Sequence, residues 1–174
     1  MIKIEKLKSD RLITCAQFYE HVITDTPDMD KYGRWKRGLY PTEEDIENYI
    51  KKGAMYALSE GSVVIGAMAV TMNQGNDYHS INGSLSLADD EVAVIHILAV
   101  NPDYRGQGFG KRLIDEAVSI ARKNGKKALR LDALASNSPA HRLYKNKGFV
   151  YRGMQNLYAA NTGHTDFLFF ELVL

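Results

Sequence analysis

The sequence of 174 residues contains a single cysteine, Cys15, so no disulfide can form within the chain and multi-thiolate zinc sites are excluded. No apolar run reaches the ~18 residues of a membrane span, and the N-terminus lacks the apolar core of a signal peptide. Basic and acidic residues number 22 and 21, and this balance argues against a nucleic-acid-binding protein. We therefore predict a cytoplasmic protein that binds neither membranes nor nucleic acids.

The composition is that of an ordinary folded protein, with 45% hydrophobic and 25% charged residues. Its length fits one domain over residues 1–174. Neither the histidines nor the acidic residues show the spacing of metal ligands, so we expect no metal.

Local patterns predict a mixed α/β order in one unit. Strands are predicted at residues 2–7, 54–59, 63–72, 92–100, 127–134, about 149–153 and 166–173. Helices are predicted at 9–23 with a cap at Ser9-Asp10, from 41–45 to 51–53, at 109–124 and at 137–146. The connection over 24–41 is long for a compact domain, and such loops often carry function.

A glycine-rich turn, residues 105–111 (Arg-Gly-Gln-Gly-Phe-Gly-Lys), joins a predicted strand to a helix. Unpaired backbone N–H groups and the helix dipole favour anions at such a helix start, and glycines let a ligand approach the backbone. The nucleotide-triphosphate loop is excluded, because only three residues separate Gly106 from Gly110 and Arg112 stands where Ser or Thr is needed. The dinucleotide pattern fails because Lys111 occupies the position of its third glycine.

A third pattern fits, in which Arg or Gln precedes a glycine by three residues and a second Gly or Ala by five. Arg105, Gly108 and Gly110 occupy it. Residues 97–102 (Ile-Leu-Ala-Val-Asn-Pro) and 137–144 (Asn-Ser-Pro-Ala-His-Arg-Leu-Tyr) flank the turn in order. With them, residues 91–152 resemble the GCN5-related N-acetyltransferase (GNAT) family. The resemblance implies a central, mostly antiparallel sheet flanked by helices, acetyl-CoA as acyl donor and an N-acetyltransferase activity.

The resemblance also implies a donor site. Its residues would be Leu98, Val100, Arg105, Gly106, Gln107, Gly108, Phe109, Gly110, Lys111, Asn137 and Tyr144. Backbone N–H groups of the turn would hold the pyrophosphate, while the backbone of Leu98 and Val100 would contact pantetheine where the fourth and fifth strands splay apart. In the family, the residue matching Asn137 holds the pantetheine arm and the tyrosine matching Tyr144 protonates the departing thiolate. A phenol suits this role because its ordinary pKa of ~10 exceeds that of a thiol, ~8.5.

The general base that deprotonates the acceptor ammonium stays open among three candidates. His96 lies two residues before Leu98 in a predicted strand, so we expect both on one side, although a lone buried histidine is often only a hydrogen-bonded core residue. Glu91 could act through a water, or be a plain surface acid. Asp132, on the next strand, is a third candidate and could instead bind the substrate cation.

The acceptor is expected to lie against the 24–41 connection, with Tyr32, Trp35 and Tyr40 as candidate substrate-binding residues. The stretch over 158–166 would close the other side. An aromatic wall with few acids favours a small, partly apolar amine over a polycation, with a peptide as the other possible acceptor. A non-catalytic acyl-CoA-binding sensor or interaction module is the alternative. The resemblance also implies a homodimer, for which the sequence shows no interface pattern.

Overall fold

The computed structural model describes all residues from 1 to 174 and contains one seven-stranded sheet. Its strands are β1 (Ile2–Lys6), β2 (Met55–Glu60), β3 (Val63–Thr71), β4 (Val92–Val100), β5 (Ala128–Leu134), β6 (Val150–Ala159) and β7 (Gly163–Val173). The strand order is β1-β2-β3-β4-β5-β7-β6, and only the β4–β5 pair is parallel. The predicted mostly antiparallel α/β architecture is therefore confirmed.

Four helices cover the two faces of the sheet: α1 (Leu12–Asp25), α2 (Glu43–Lys51), α3 (Phe109–Lys123) and α4 (Ser138–Asn146). One core cluster joins α1 and α2 to one face, and a second joins α3 and α4 to the other. The longest of these helices, α3, has 15 residues, and none is long and apolar enough to cross a bilayer.

The starts of the first two helices show what local sequence can and cannot predict. The predicted start of α2 is confirmed by a capping box, in which Asp45 N–H donates to Thr42 Oγ1 (3.1 Å) and Thr42 N–H donates to Asp45 Oδ2 (2.8 Å). The predicted Ser9-Asp10 cap of α1 is wrong. Residues 9–11 form a separate 3-10 turn, and α1 begins at Leu12 without a side-chain cap.

The C-terminal hairpin is longer than the sequence predicts. The predicted strands near 149–153 and at 166–173 are extended toward each other, so that β6 and β7 cover most of the 158–166 stretch and leave only a short tip at 160–162. The cause is the position of β6 at the sheet edge, where polar residues such as Gln155 and Asn156 weaken the hydrophobic signal of a strand.

Strands β4 and β5 pair over three residues and then part. Val92 pairs with Ala128 and Val94 with Arg130, whereas the remainder of both strands is unpaired with the other. On its other side, β4 carries a bulge opposite β3, between the Ala67–Ala99 and Ala69–His96 pairs. The opening between β4 and β5 is the feature that positions the site.

A buried ionic network fastens the long segment between β3 and β4 to the sheet. The Arg130 guanidinium donates to Glu171 Oε2 (2.7 Å and 3.0 Å) and to Gln74 Oε1 (2.6 Å), and Ser84 N–H donates to Glu171 Oε1 (2.9 Å). This network holds the segment that carries Tyr78, a buried residue important to the site below.

Candidate active site

A cavity of about 1070 Å³ enters the sheet where β4 and β5 part. Its lining is mostly apolar and comes from β4, β5, α4, the glycine-rich turn, the 26–40 connection and the tip of the β6–β7 hairpin. The predicted site residues that line this cavity are His96, Leu98, Val100, Arg105, Gly106, Asn137, Tyr144, Asp132, Tyr32, Trp35 and Tyr40. The structure therefore brings most predicted donor and acceptor residues to one cavity.

The glycine-rich turn begins α3 with a left-handed backbone at two positions. Gly108 has φ +83° and is the N-cap of the helix, and Gly106 has φ +76°. Both conformations are strained for residues with a Cβ. Gly110 serves packing instead, because a Cβ there would lie 3.2 Å from Leu143 Cδ2.

The side chains of the turn have separate roles. Arg105 ties the turn to its neighbours, since its guanidinium donates to Thr26 Oγ1 (2.8 Å) and to the Val100 carbonyl (3.3 Å). Phe109 packs its ring against Tyr104, with the ring centroids 6.4 Å apart. Of the turn, only Arg105 and Gly106 line the cavity, and residues 107–111 lie outside its lining.

The two predicted residues of α4 lie together on the cavity wall. Asn137 is the N-cap, where its Oδ1 accepts from Ala140 N–H (3.4 Å), and Tyr144 follows two helical turns later. Tyr144 is buried and packs between Phe149 and Phe170. Burial and the nearby Asp132 carboxylate raise the pKa of its phenol, so the hydroxyl stays protonated at neutral pH.

Asp132 lines the cavity near Tyr144 and receives a hydrogen bond of 2.5 Å from the Tyr78 hydroxyl. Burial raises the pKa of the Asp132 carboxyl, the Tyr78 hydrogen bond opposes that rise, and Asp77 adds to it. The sequence analysis missed Tyr78, since it lies in a polar loop-like stretch 54 residues from its partner. No local signal marks such a contact.

His96 does not share a side with Leu98, so that expectation is wrong. The bulge at Ile97 shifts the alternation of β4, and the His96 ring stacks on Tyr49 of α2 (5.5 Å between centroids), whereas Leu98 packs into the cluster on the α3 side. Burial, with Lys52 nearby, lowers the pKa of His96 to about 4. A neutral imidazole with so low a pKa is a weak proton acceptor for an ammonium group.

Glu91 lies outside the cavity lining, just before β4 begins. Its carboxylate pairs with Lys127 and accepts from Ala88 N–H (2.9 Å). The hydrogen bond from Lys127 and that from Ala88 lower its pKa. This placement fits the surface acid that the sequence left as the alternative and does not support a base acting through water.

The acceptor end of the cavity lies between two segments that contact each other. Tyr32, Trp35 and Tyr40 line one side, and residues 159–162 at the hairpin tip line the other. Asn161 Nδ2 donates to the Arg34 carbonyl (2.8 Å) and so links the two segments. Of the 158–166 stretch that was predicted to close this side, residues 159–162 at the hairpin tip border the cavity.

A split, mostly antiparallel sheet with a cavity ending at a glycine-rich helix start defines the acetyltransferase fold class. Two solved structures share this fold. An acetyltransferase of the GNAT family from Streptococcus pneumoniae superposes with a TM-score of 0.74 at 19% identity, and the match covers 100% of this chain and 99% of that one. The structure of yncA from Salmonella typhimurium, which holds its cofactor acetyl-CoA, superposes with a TM-score of 0.71 at 18% identity, and the match covers 99% of this chain and 94% of that one. These identities show the fold alone.

The Acetyltransferase (GNAT) family model matches residues 16–149, and the chain belongs to this family. Among curated relatives, an uncharacterized N-acetyltransferase from Methanocaldococcus jannaschii is 42% identical over 59 residues, which are 34% of this chain and 26% of the relative. The ribosomal protein bS18-alanine N-acetyltransferase of Escherichia coli K12 is 34% identical over 84 residues, which are 48% of this chain and 56% of that relative. The match thus spans about a quarter to about a half of these relatives.

Proposed function

We propose that the protein, acting as one domain over residues 1–174, transfers the acetyl group of acetyl-CoA to a primary amine by direct attack in a ternary complex. One observation carries the proposal: the cavity joins the glycine-rich turn, Tyr144 and Asp132 in a single space. A donor bound at the turn and an amine bound beside Asp132 would therefore meet without an acyl-enzyme. Cys15 is no candidate nucleophile, because it is buried away from the cavity and burial raises its pKa to about 12.

The residues present fit the acyl donor. The start of α3 offers N–H groups at Gly106, Gly108 and Gly110 for the pyrophosphate, and the gap between β4 and β5 leaves backbone free for pantetheine. Leu98 and Val100 line this gap from β4, and Asn137 lines it from α4. Acetyl-CoA supplies an activated thioester, whose carbonyl a backbone N–H of β4 would polarise.

Proton transfers would be divided between two side chains that line the same cavity, Asp132 and Tyr144. Asp132 is the candidate base with the best support, because it lines the cavity and its raised pKa makes it a stronger base than an ordinary carboxylate. It would bind the acceptor ammonium and accept its proton, after which the neutral nitrogen attacks the thioester carbon. Tyr144 would then donate its proton to the departing sulfur as the carbon–sulfur bond breaks, and its phenolate would take up the proton that the nitrogen must still lose to become the amide.

The acceptor is proposed to be a partly apolar amine with one positive charge. Asp132 is the only carboxylate among the lining residues, while Tyr32, Trp35, Tyr40 and Phe167 present aromatic surface. The E. coli relative is named for acting on the alanine of a ribosomal protein, which makes a peptide with N-terminal alanine a second candidate acceptor. A cytoplasmic location is proposed from the sequence, and a homodimer from the resemblance to the family.

Thiol release from acetyl-CoA with a panel of amines tests this function. The panel contains an arylalkyl monoamine, a peptide beginning with alanine, and a linear polyamine. We expect turnover with at least one singly charged amine, at a kcat/KM about tenfold or more above that of the polyamine. The reason is that a second ammonium group would lie against apolar residues with no carboxylate to pair with. Tight acetyl-CoA binding with no thiol release for any amine would instead favour the non-catalytic acyl-CoA sensor.

A further inference from the structure

The bulge of β4 contains a backbone conformation that its side chain disfavours. Ile97 has φ +44°, and such a value is a clear outlier for a β-branched residue. The register explains its place: between the Ala67–Ala99 and Ala69–His96 pairs, β4 has two residues where β3 has one. A strained residue in a buried strand persists only where its surroundings hold it.

The contact that holds Ile97 comes from α1. The hydroxyl of Tyr19 donates to the Ile97 carbonyl oxygen at 2.6 Å, across 78 residues of sequence. Tyr19 is 1% exposed, and its ring is packed against Phe18 and Trp35 at centroid distances of 5.0 Å and 5.9 Å. Burial raises its pKa well above the ordinary value, so the hydroxyl is always a donor.

The orientation of this carbonyl also sets the direction of an N–H group. The Ile97 C=O and the Leu98 N–H belong to one planar trans peptide, in which the two bonds point in opposite directions. Because Tyr19 holds the carbonyl toward α1, the Leu98 N–H points to the other side of the sheet. Tyr144 packs on that side, and both Leu98 and Tyr144 line the cavity.

We propose that Tyr19 is a positioning residue that holds the Ile97–Leu98 peptide so that the Leu98 N–H faces the thioester carbonyl of the donor. The inference rests on the proposed acetyl transfer. The N–H stabilises the negative charge that forms on the carbonyl oxygen as the amine attacks. Tyr19 touches no substrate and exchanges no proton, since its hydrogen stays on the bond to Ile97.

The substitution Tyr19→Phe tests this role, because it removes one hydroxyl and keeps the packed ring. Calorimetry measures the affinities for acetyl-CoA and for CoA, which lacks the carbonyl. We expect the wild-type protein to prefer acetyl-CoA about three- to tenfold, as one net hydrogen bond allows, and the variant to bind both equally. The kcat for thiol release should fall about 10- to 100-fold, because the oxyanion donor is turned away.

Phe18→Leu is the matched control, since it disturbs the same packed cluster and leaves the Tyr19 hydroxyl in place. It should keep the preference for acetyl-CoA. A second variant, Ile97→Gly, removes the reason for the strain, since glycine adopts positive φ freely. In that background, adding Tyr19→Phe should lower kcat by a smaller factor than the same substitution does in the wild-type background, and equal factors in the two backgrounds would contradict the proposal.

An unchanged kcat and acetyl-CoA preference in folded Tyr19→Phe would overturn the proposal. An equal loss of affinity for acetyl-CoA and for CoA, at unchanged kcat, would also overturn it, because that result would indicate a general loss of packing. A wild-type protein that distinguishes acetyl-CoA from CoA but releases no thiol refutes the acetyl transfer alone, whereas one that binds both ligands equally refutes the role of the Leu98 N–H.

Discussion

Tyr144→Phe is expected to lower kcat for acetyl transfer by about 10²- to 10⁴-fold, the range for removing a positioned general acid. The phenol lines the cavity, and its raised pKa keeps it protonated until the thiolate leaves. Without that proton, the sulfur must depart as an anion into a mostly apolar space, which is costly. Steady-state kinetics and calorimetry should show the loss in kcat, with the affinity for acetyl-CoA nearly unchanged.

Tyr151→Phe is the control for this variant. Its ring also packs on Phe170, at a centroid distance of 6.1 Å, but Tyr151 is about half exposed and lies outside the cavity lining. It should behave as wild type. A Tyr144→Phe enzyme within threefold of wild type would show that water or another group protonates the thiolate.

Asp132→Asn is expected to lower kcat/KM at neutral pH by about 10²- to 10⁴-fold, because the acceptor loses both its base and the partner of its positive charge. With the alanine peptide as acceptor, the loss should shrink as pH rises, since its α-amine, with a pKa near ~8, then arrives already neutral. The measurement is a pH profile of kcat/KM for both proteins. A loss that stays constant across the profile would assign Asp132 to binding or structure instead of proton transfer.

Tyr78→Phe offers a finer test of the same carboxylate. Asp132 is faced by Tyr78 and Asp77 from the β3–β4 segment, by Tyr40 and Tyr49 from the α1–α2 side, and by Tyr144 from α4. Of these, Tyr78 donates the hydrogen bond that stabilises the charged form. Its removal raises the pKa of Asp132 further, so the acidic limb of the profile should move to higher pH. An unmoved limb would show that Asp132 is not the titrating base.

Structural features that depend on short local sequence patterns could be predicted well. The cap of α2 at Thr42, the turn at Gly108 and the helix predicted over 137–146 each depend on residues within a few positions of one another. Local signals suffice for the mixed α/β order, whereas the mostly antiparallel sheet and the donor site were implied by the resemblance of residues 91–152 to the GNAT family.

Features that depend on contacts across the fold could not be predicted. The alternation of side chains along a strand predicts that His96 and Leu98 lie on the same face of the sheet. One extra residue in β4 puts them on opposite faces, and this bulge is visible only in the pairing of β4 with β3. The contacts Tyr19–Ile97 and Tyr78–Asp132 join residues 78 and 54 positions apart. The sequence therefore left the base open among three residues that the structure separates by location and pKa.

The most direct test of the account is calorimetric titration of the wild-type protein with acetyl-CoA, with ATP and NAD as comparison ligands and Gly108→Ala as the matched variant. A Cβ at Gly108 meets no protein atom within 4 Å, so the substitution acts through the strain of φ +83° and through the space that the Cβ takes from the bound phosphates. The account predicts that the wild-type protein binds acetyl-CoA with micromolar affinity and does not bind ATP or NAD comparably. It also predicts that Gly108→Ala lowers the affinity for acetyl-CoA by about tenfold or more. Folded wild-type protein that binds no acetyl-CoA, or binds ATP equally well, would contradict it.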